Sequence, residues 1–139
     1  MMNIKEMLYS RNLKATPQRL AILNEIIRAG HIDLDTIYKN ISKSFPSMSL
    51  ATVYKNIHTL KEHGIIKELA ISGAKNKYEI AEQKPHHHLI CKVCGDVIDI
   101  EVDTSFLNQQ LKELKDFEVS NCDIYCYGVC SKCRNKSDS

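Results

Sequence analysis

The sequence predicts an α+β fold in two parts, residues 1–82 and residues 83–139. Three observations carry that reading. The first part holds amphipathic segments with helix-capping residues at their starts, and it closes with two short β-rich runs. The second part alternates strand-like runs with one helix, and it carries two Cys-x-x-Cys pairs. With 139 residues, of which 43% are hydrophobic, the chain can bury a core in one domain or in two small ones.

The elements follow in chain order. In LKATPQRLAILNEIIRAG, Thr16 precedes Pro17, an N-cap followed by proline at the first helical position. Leu20, Leu23 and Ile27 supply an apolar stripe, and Gly30 ends the helix. In DLDTIYKNISKSFP, Asp33 caps, Leu34, Ile37, Ile41 and Phe45 form the stripe, and Pro46 stops it. In SLATVYKNIHTLKEHG, Ser49 caps, Val53, Ile57 and Leu60 face inward, and Gly64 ends the helix. The period then changes. IIKELAI and NKYEIA are joined by the turn-rich SGAKN, which predicts a hairpin.

Three short helices and a hairpin, with only residues 46–48 between the second and third helices, predict a winged helix-turn-helix. The third helix would enter a DNA major groove. With Val53, Ile57 and Leu60 buried, its other face carries Ala51, Tyr54, Lys55, His58 and Thr59. Lys55 is suited to a phosphate or a guanine edge, and Ala51 and Tyr54 to thymine methyls. Charge agrees: residues 1–80 carry 12 Lys+Arg against 7 Asp+Glu, and residues 81–139 carry 7 against 10. A basic part joined to an acidic one points to a polyanion partner for the first.

The second part reads as metal chemistry. Cys91 and Cys94 form one knuckle, Cys130 and Cys133 another, and two such knuckles complete a tetrahedral four-thiolate zinc site. A thioredoxin-type dithiol would need only one pair. The histidines separate by parity. In HHHLIC, His86 and His88 share one face of a strand, whereas His87, Leu89 and Cys91 share the other. In VIDIEV, Asp99 can join the histidine pair if the two strands are neighbours. Imidazole and carboxylate together suit Fe(II), Mn(II) or Zn(II). Next, SFLNQQLKELKDF gives a helix with Leu107, Leu111 and Leu114, capped near Asp103 or Thr104, and EVSNCDIYCYGVC returns to strand. A small sheet with an open edge, and the two-fold symmetry of operators, predict a homodimer.

Other classes lack their signatures. There is no H-x-E with P-C-x-x-C of the zinc deaminases, no H-E-x-x-H, and no phosphate-binding glycine loop. The expectation is a protein that is not an enzyme and takes no small organic substrate. The opening MMNIKEMLYSRN has no apolar h-region, and no run approaches a membrane span, so the expected location is cytoplasmic, without membrane partners.

The segments LKATPQR, SLATVYKN, HHHLICKVCG and YGVCSKC, spread from about residue 11 to residue 133, resemble the ferric uptake regulator (Fur) family of metal-dependent repressors. The resemblance implies an N-terminal winged-helix DNA-binding domain, a C-terminal α/β dimerisation domain, a homodimer on a double-stranded operator, and a regulatory metal at the hinge. It implies structural Zn2+ on Cys91, Cys94, Cys130 and Cys133, and Fe2+ or Mn2+ on His31, Glu79, His86, His88 and Asp99. It adds Lys14 and Thr52 to the DNA contacts. At Asp99 the chain is similar to the peroxide-responsive (PerR type) branch, in which a ligand histidine is oxidised and the metal leaves; here that would be His31 or His86. At Glu79 it differs from that branch, and the alternative is iron-level or zinc-level sensing without peroxide chemistry. Lys55 also departs from familiar members. The third metal site of many iron sensors is broken at Pro85, His87 and Cys122, which leaves Cys122 and Cys126 as strand residues.

Overall fold

The structure is a computed structural model that describes residues 3–81, 86–119 and 122–137. The expected boundary at residues 82 and 83, and Pro85, lie outside the described residues. The chain divides into two compact units, Met1–Glu82 and Gln83–Ser139. No described helix is long and apolar enough to cross a membrane.

The first unit contains α1 (Ile4–Ser10), α2 (Pro17–Ala29), β1 (Ile32–Asp33), α3 (Leu34–Ile41), α4 (Leu50–Glu62), β2 (Ile66–Leu69) and β3 (Lys77–Ile80). Its helices start where capping chemistry dictates. The side chains of Thr16, Asp33 and Ser49 accept the backbone N–H groups of Arg19, Thr36 and Thr52 at 3.2, 2.7 and 3.1 Å. Gly64 follows α4 at φ +73, a left-handed turn that sends the chain into β2. The three strands form an antiparallel sheet in the order β1-β3-β2, with Glu68 opposite Tyr78. Ile22, Leu23, Ile26, Ile37, Val53, Ile57 and Leu60 make the centre of the core. Lys75, in the loop between β2 and β3, reaches Asp35 of α3 at 2.8 Å.

Several expectations need correction here. The first unit has a fourth helix, α1, closed by a capping box between Asn3 and Glu6. On α2 the buried stripe is Ile22, Leu23 and Ile26, and Ile27 is 49% exposed. The sequence offers apolar residues on two adjoining faces of this helix, and contact with α3 and α4 decides between them. α3 ends at Ile41 rather than at Pro46. Ser42 turns its hydroxyl back to the Lys39 carbonyl, and the amides of Ser44 and Phe45 both return to Ile41 O.

The second unit contains β4 (His87–Cys91), β5 (Val97–Ile100), α5 (Ser105–Lys115), β6 (Tyr125–Gly128) and α6 (Ser131–Ser137). The sheet order is β5-β4-β6, with β4 antiparallel to β5 and parallel to β6. The first Cys-x-x-Cys pair is the turn between β4 and β5. Gly95 there takes φ +81, and its N–H returns to Cys91 O at 3.0 Å. The second pair leads into a helix, α6, which the sequence reading had not foreseen. α5 starts near Asp103, whose carboxylate accepts the Ser105 N–H at 3.0 Å. Its leucine stripe lies at the surface of the unit: α5 has no buried residue.

Candidate metal centres and nucleic-acid surface

The four cysteines of the second unit converge. Cys91 ends β4, Cys94 lies in the β4–β5 turn, Cys130 precedes α6 and Cys133 lies in its first turn. One sulfur from each falls within 4.8 Å of all the others. Cys94 Sγ and Cys130 Sγ are 3.8 Å apart. Four sulfurs held at ~2.3 Å from a tetrahedral ion would be about 3.8 Å apart, so the spacing fits. Backbone N–H groups of Cys130 and Cys94 donate to Cys91 Sγ at 3.4 and 3.5 Å. These amides hold the Cys91 thiol down at about 6. Hydrogen bonding to Cys130, then burial, pushes Cys133 up to about 12. Anionic sulfur is stabilised at one position and opposed at another, which is the condition a central dication relieves. The donor set fits closed, structural zinc.

A second donor set lies on the same unit. β4 and β5 are neighbours, and His88 stands opposite Asp99. The Nε2 atoms of His88 and His86 lie 3.4 and 3.6 Å from the same oxygen, Asp99 Oδ1. Donors ~2.1 Å from one ion at roughly right angles would be about 3.0–3.5 Å apart, so small adjustments would let all three share an ion. The two imidazoles meet edge to face with centroids 4.8 Å apart. His88 is 1% exposed. His87 is also buried, but it does something else: its Nδ1 accepts the Ile124 N–H at 3.0 Å. That bond ties β4 to the segment leading into β6 and occupies the nitrogen.

The first unit holds a two-donor set of its own. His31 Nε2 and Glu79 Oε2 are 3.1 Å apart. Glu79 is 4% exposed, and a carboxylate is buried to that extent only with a partner. The hairpin pattern alone did not single it out. Alternation gave no signal for it: between Tyr78 and Ile80, which face the core, Glu79 reads as an outward residue, and only the fold shows it buried.

The exposed face of α4 carries Ala51, Thr52, Tyr54 and Lys55, while Val53, Ile57 and Leu60 anchor the helix beneath them. Thr52 also bonds the capping Ser49 through its hydroxyl at 3.0 Å. Lys14 is exposed, and its carbonyl accepts a bond from Arg19 Nη1 at 3.1 Å, which steadies the loop before α2.

A winged-helix unit with such a face, followed by a unit with a four-thiolate centre and a histidine–carboxylate set, defines a class of metal-binding transcription regulators. Comparison with known proteins agrees. The sequence profile of the ferric uptake regulator family matches residues 10–127. The peroxide-responsive repressor PerR of Staphylococcus aureus (strain Mu50 / ATCC 700699) is 33% identical over 126 residues, which is 89% of this chain and 84% of that protein. The crystal structure of the Campylobacter jejuni peroxide stress regulator is 35% identical, with a TM-score of 0.73, over 95% of this chain and 100% of that one. The Vibrio cholerae ferric uptake regulator is 30% identical, with a TM-score of 0.75, over 92% and 100%.

The chain belongs to the ferric uptake regulator family of metal-responsive repressors. Members of this family are DNA-binding homodimeric regulators and not enzymes.

Proposed function

We propose that this chain is a peroxide-stress sensor: a homodimer that holds operator DNA while loaded with Fe(II) or Mn(II) and releases it when a ligand histidine is oxidised. The observation that carries the reading is the meeting of two histidine Nε2 atoms on one oxygen of Asp99. The likeness to peroxide-responsive relatives supports it. His86, His88 and Asp99 give three donors, and His31 and Glu79 give two more. Five donors of this chemistry suit Fe(II) or Mn(II) and leave a position for peroxide. Taking donors from both units couples metal affinity to their arrangement, and so to DNA affinity. Cys91, Cys94, Cys130 and Cys133 hold structural zinc.

Fe(II) held by these residues would supply the redox chemistry that splits the peroxide O–O bond, with peroxide as the two-electron oxidant and the imidazole as the group oxidised. The chain supplies the target: an imidazole carbon of His31 or His86 gains one oxygen in place of its hydrogen, and the other peroxide oxygen leaves as water. Oxidised imidazole is a weaker donor, the metal departs and repression ends. The test is anaerobic DNA binding by the Fe(II) and Mn(II) forms before and after a low dose of hydrogen peroxide, with mass spectrometry of the peptides holding His31 and His86. The Fe(II) form should release DNA with one histidine heavier by a single oxygen atom, while the Mn(II) form holds. If both forms hold DNA and neither histidine changes, the protein senses metal level instead.

DNA recognition is assigned to Lys14, Ala51, Thr52, Tyr54 and Lys55. Lys55→Ala is expected to leave the thermal midpoint unchanged, weaken operator binding roughly ten-fold, and lower the salt dependence by about one ion, as loss of one phosphate or guanine contact requires. Equal affinity for parent and variant at two salt concentrations would remove Lys55 from the interface.

The homodimer reading rests on apolar surface in the second unit. A cavity of about 210 Å³ on its sheet is lined by Leu89, Ile98, Cys126, Tyr127 and Val129. α5 leaves Phe106 and Leu114 exposed, and Phe117 just beyond it is exposed too. A unit this small gains a full core by pairing. We place the protein in the cytoplasm, where six unpaired cysteines persist as thiols and metal ligands.

A further inference from the structure

Three strands of the second unit bring one row of side chains together. His88 of β4 lies opposite Asp99 of β5 and opposite Tyr125 of β6. The His88 backbone N–H donates to Ile124 O at 3.0 Å, which fixes this parallel register. The rings of Tyr125 and His88 are in contact, with centroids 5.6 Å apart and planes tilted by 58°.

We propose that Tyr125 is a positioning residue for the regulatory metal: its ring is the wall that holds the His88 imidazole in its ligating orientation. The inference rests on the reading of His88 as a ligand. The physical need is specific. Rotation about the Cβ–Cγ bond of histidine is broad and roughly two-fold, so the torsion itself barely sets the ring plane. Packing must set it, or the ion must order the ring at a cost in affinity. His86 and Asp99 also meet His88, and both belong to the proposed ligand set. Both would be engaged by the ion when it binds. Tyr125 stands outside that set, on a strand whose register is fixed by backbone bonds. Contact with its ring therefore keeps Nε2 aimed before the ion arrives.

The test uses zinc-loaded full-length protein with Co(II) as the probe of the regulatory site. Tyr125→Leu keeps an apolar but smaller side chain and removes the ring. It is expected to weaken Co(II) binding about ten-fold, the lower end of what loss of a supporting contact costs a metal site, and to alter the Co(II) visible bands. Tyr125→Phe should stay within about two-fold of the parent and keep its spectrum, because the ring and not the hydroxyl does the work. His88→Ala is the control for the underlying reading: if it leaves Co(II) affinity unchanged, His88 is not a ligand and the proposed function fails. If His88→Ala abolishes binding while Tyr125→Leu changes neither affinity nor spectrum, the positioning role alone is overturned. A Tyr125→Phe variant as weak as Tyr125→Leu overturns it too. Zinc content and far-ultraviolet circular dichroism report folding. Should Tyr125→Leu lose either, NMR of the parent decides: cross-relaxation between the Tyr125 and His88 ring protons without Co(II) supports the wall, and its absence overturns it.

Discussion

Replacing Cys91 by serine is expected to abolish zinc binding and unfold the second unit. Cys91 is the thiol that accepts two backbone N–H groups, from Cys94 and Cys130, so it joins both knuckles. Beyond its three-stranded sheet, this unit has a small apolar core: among its described residues the buried apolar side chains are Ile90, Cys91 and Cys133, and α5 buries none of its own. Zinc held by four thiolates is worth on the order of 10 kcal/mol in small domains at neutral pH, more than the stability of most domains of this size. Metal analysis, sedimentation and far-ultraviolet circular dichroism would follow the loss. A Cys91→Ser protein that is zinc-free yet folded and dimeric would show that the thiolate centre is not structural.

The first unit should fail differently. Leu60→Ala removes a fully buried side chain from the inner face of α4, among Ile37, Val53 and Ile57. Such truncations cost about 2–5 kcal/mol. In a unit of this length that lowers the thermal midpoint by roughly 10 °C or more. Zinc content should not change, because the thiolate centre lies wholly in the second unit. Differential scanning calorimetry with parallel zinc analysis tests both halves of the statement. A drop of only a degree or two would mean that α4 is not anchored through Leu60. Simultaneous loss of zinc would mean that the two units do not draw on separate sources of stability.

Sequence legibility follows the range of the interaction. Thr16, Asp33 and Ser49 announce their helices because a cap acts on an amide three residues away. The capping box at Asn3 and Glu6 is the same kind of signal, overlooked in a segment too short to show periodicity. The paired cysteines are legible because two ligands on one turn demand a fixed spacing. The alternation of a strand placed His86 and His88 against Asp99 once the two strands were taken as neighbours. Partners remote in sequence were beyond such rules. His31 and Glu79 entered only through a family resemblance. The parallel pairing of β4 with β6 brings Tyr125 to His88, and no local pattern in YCYG encodes it. The exposure of Ile27 and of α5 shows the converse: apolar stripes are legible, but what covers them is not.

His88 and Cys91 sit on the same short strand, three residues or about 10 Å apart. On the proposed assignment, β4 thus belongs to both metal centres. Its end is pinned by the thiolate site, and its middle presents an imidazole to the regulatory one. That assignment predicts an order of maturation, with zinc bound before the second metal. A cell short of zinc would hold chains blind to the signal they are built to report, whatever its iron or manganese supply.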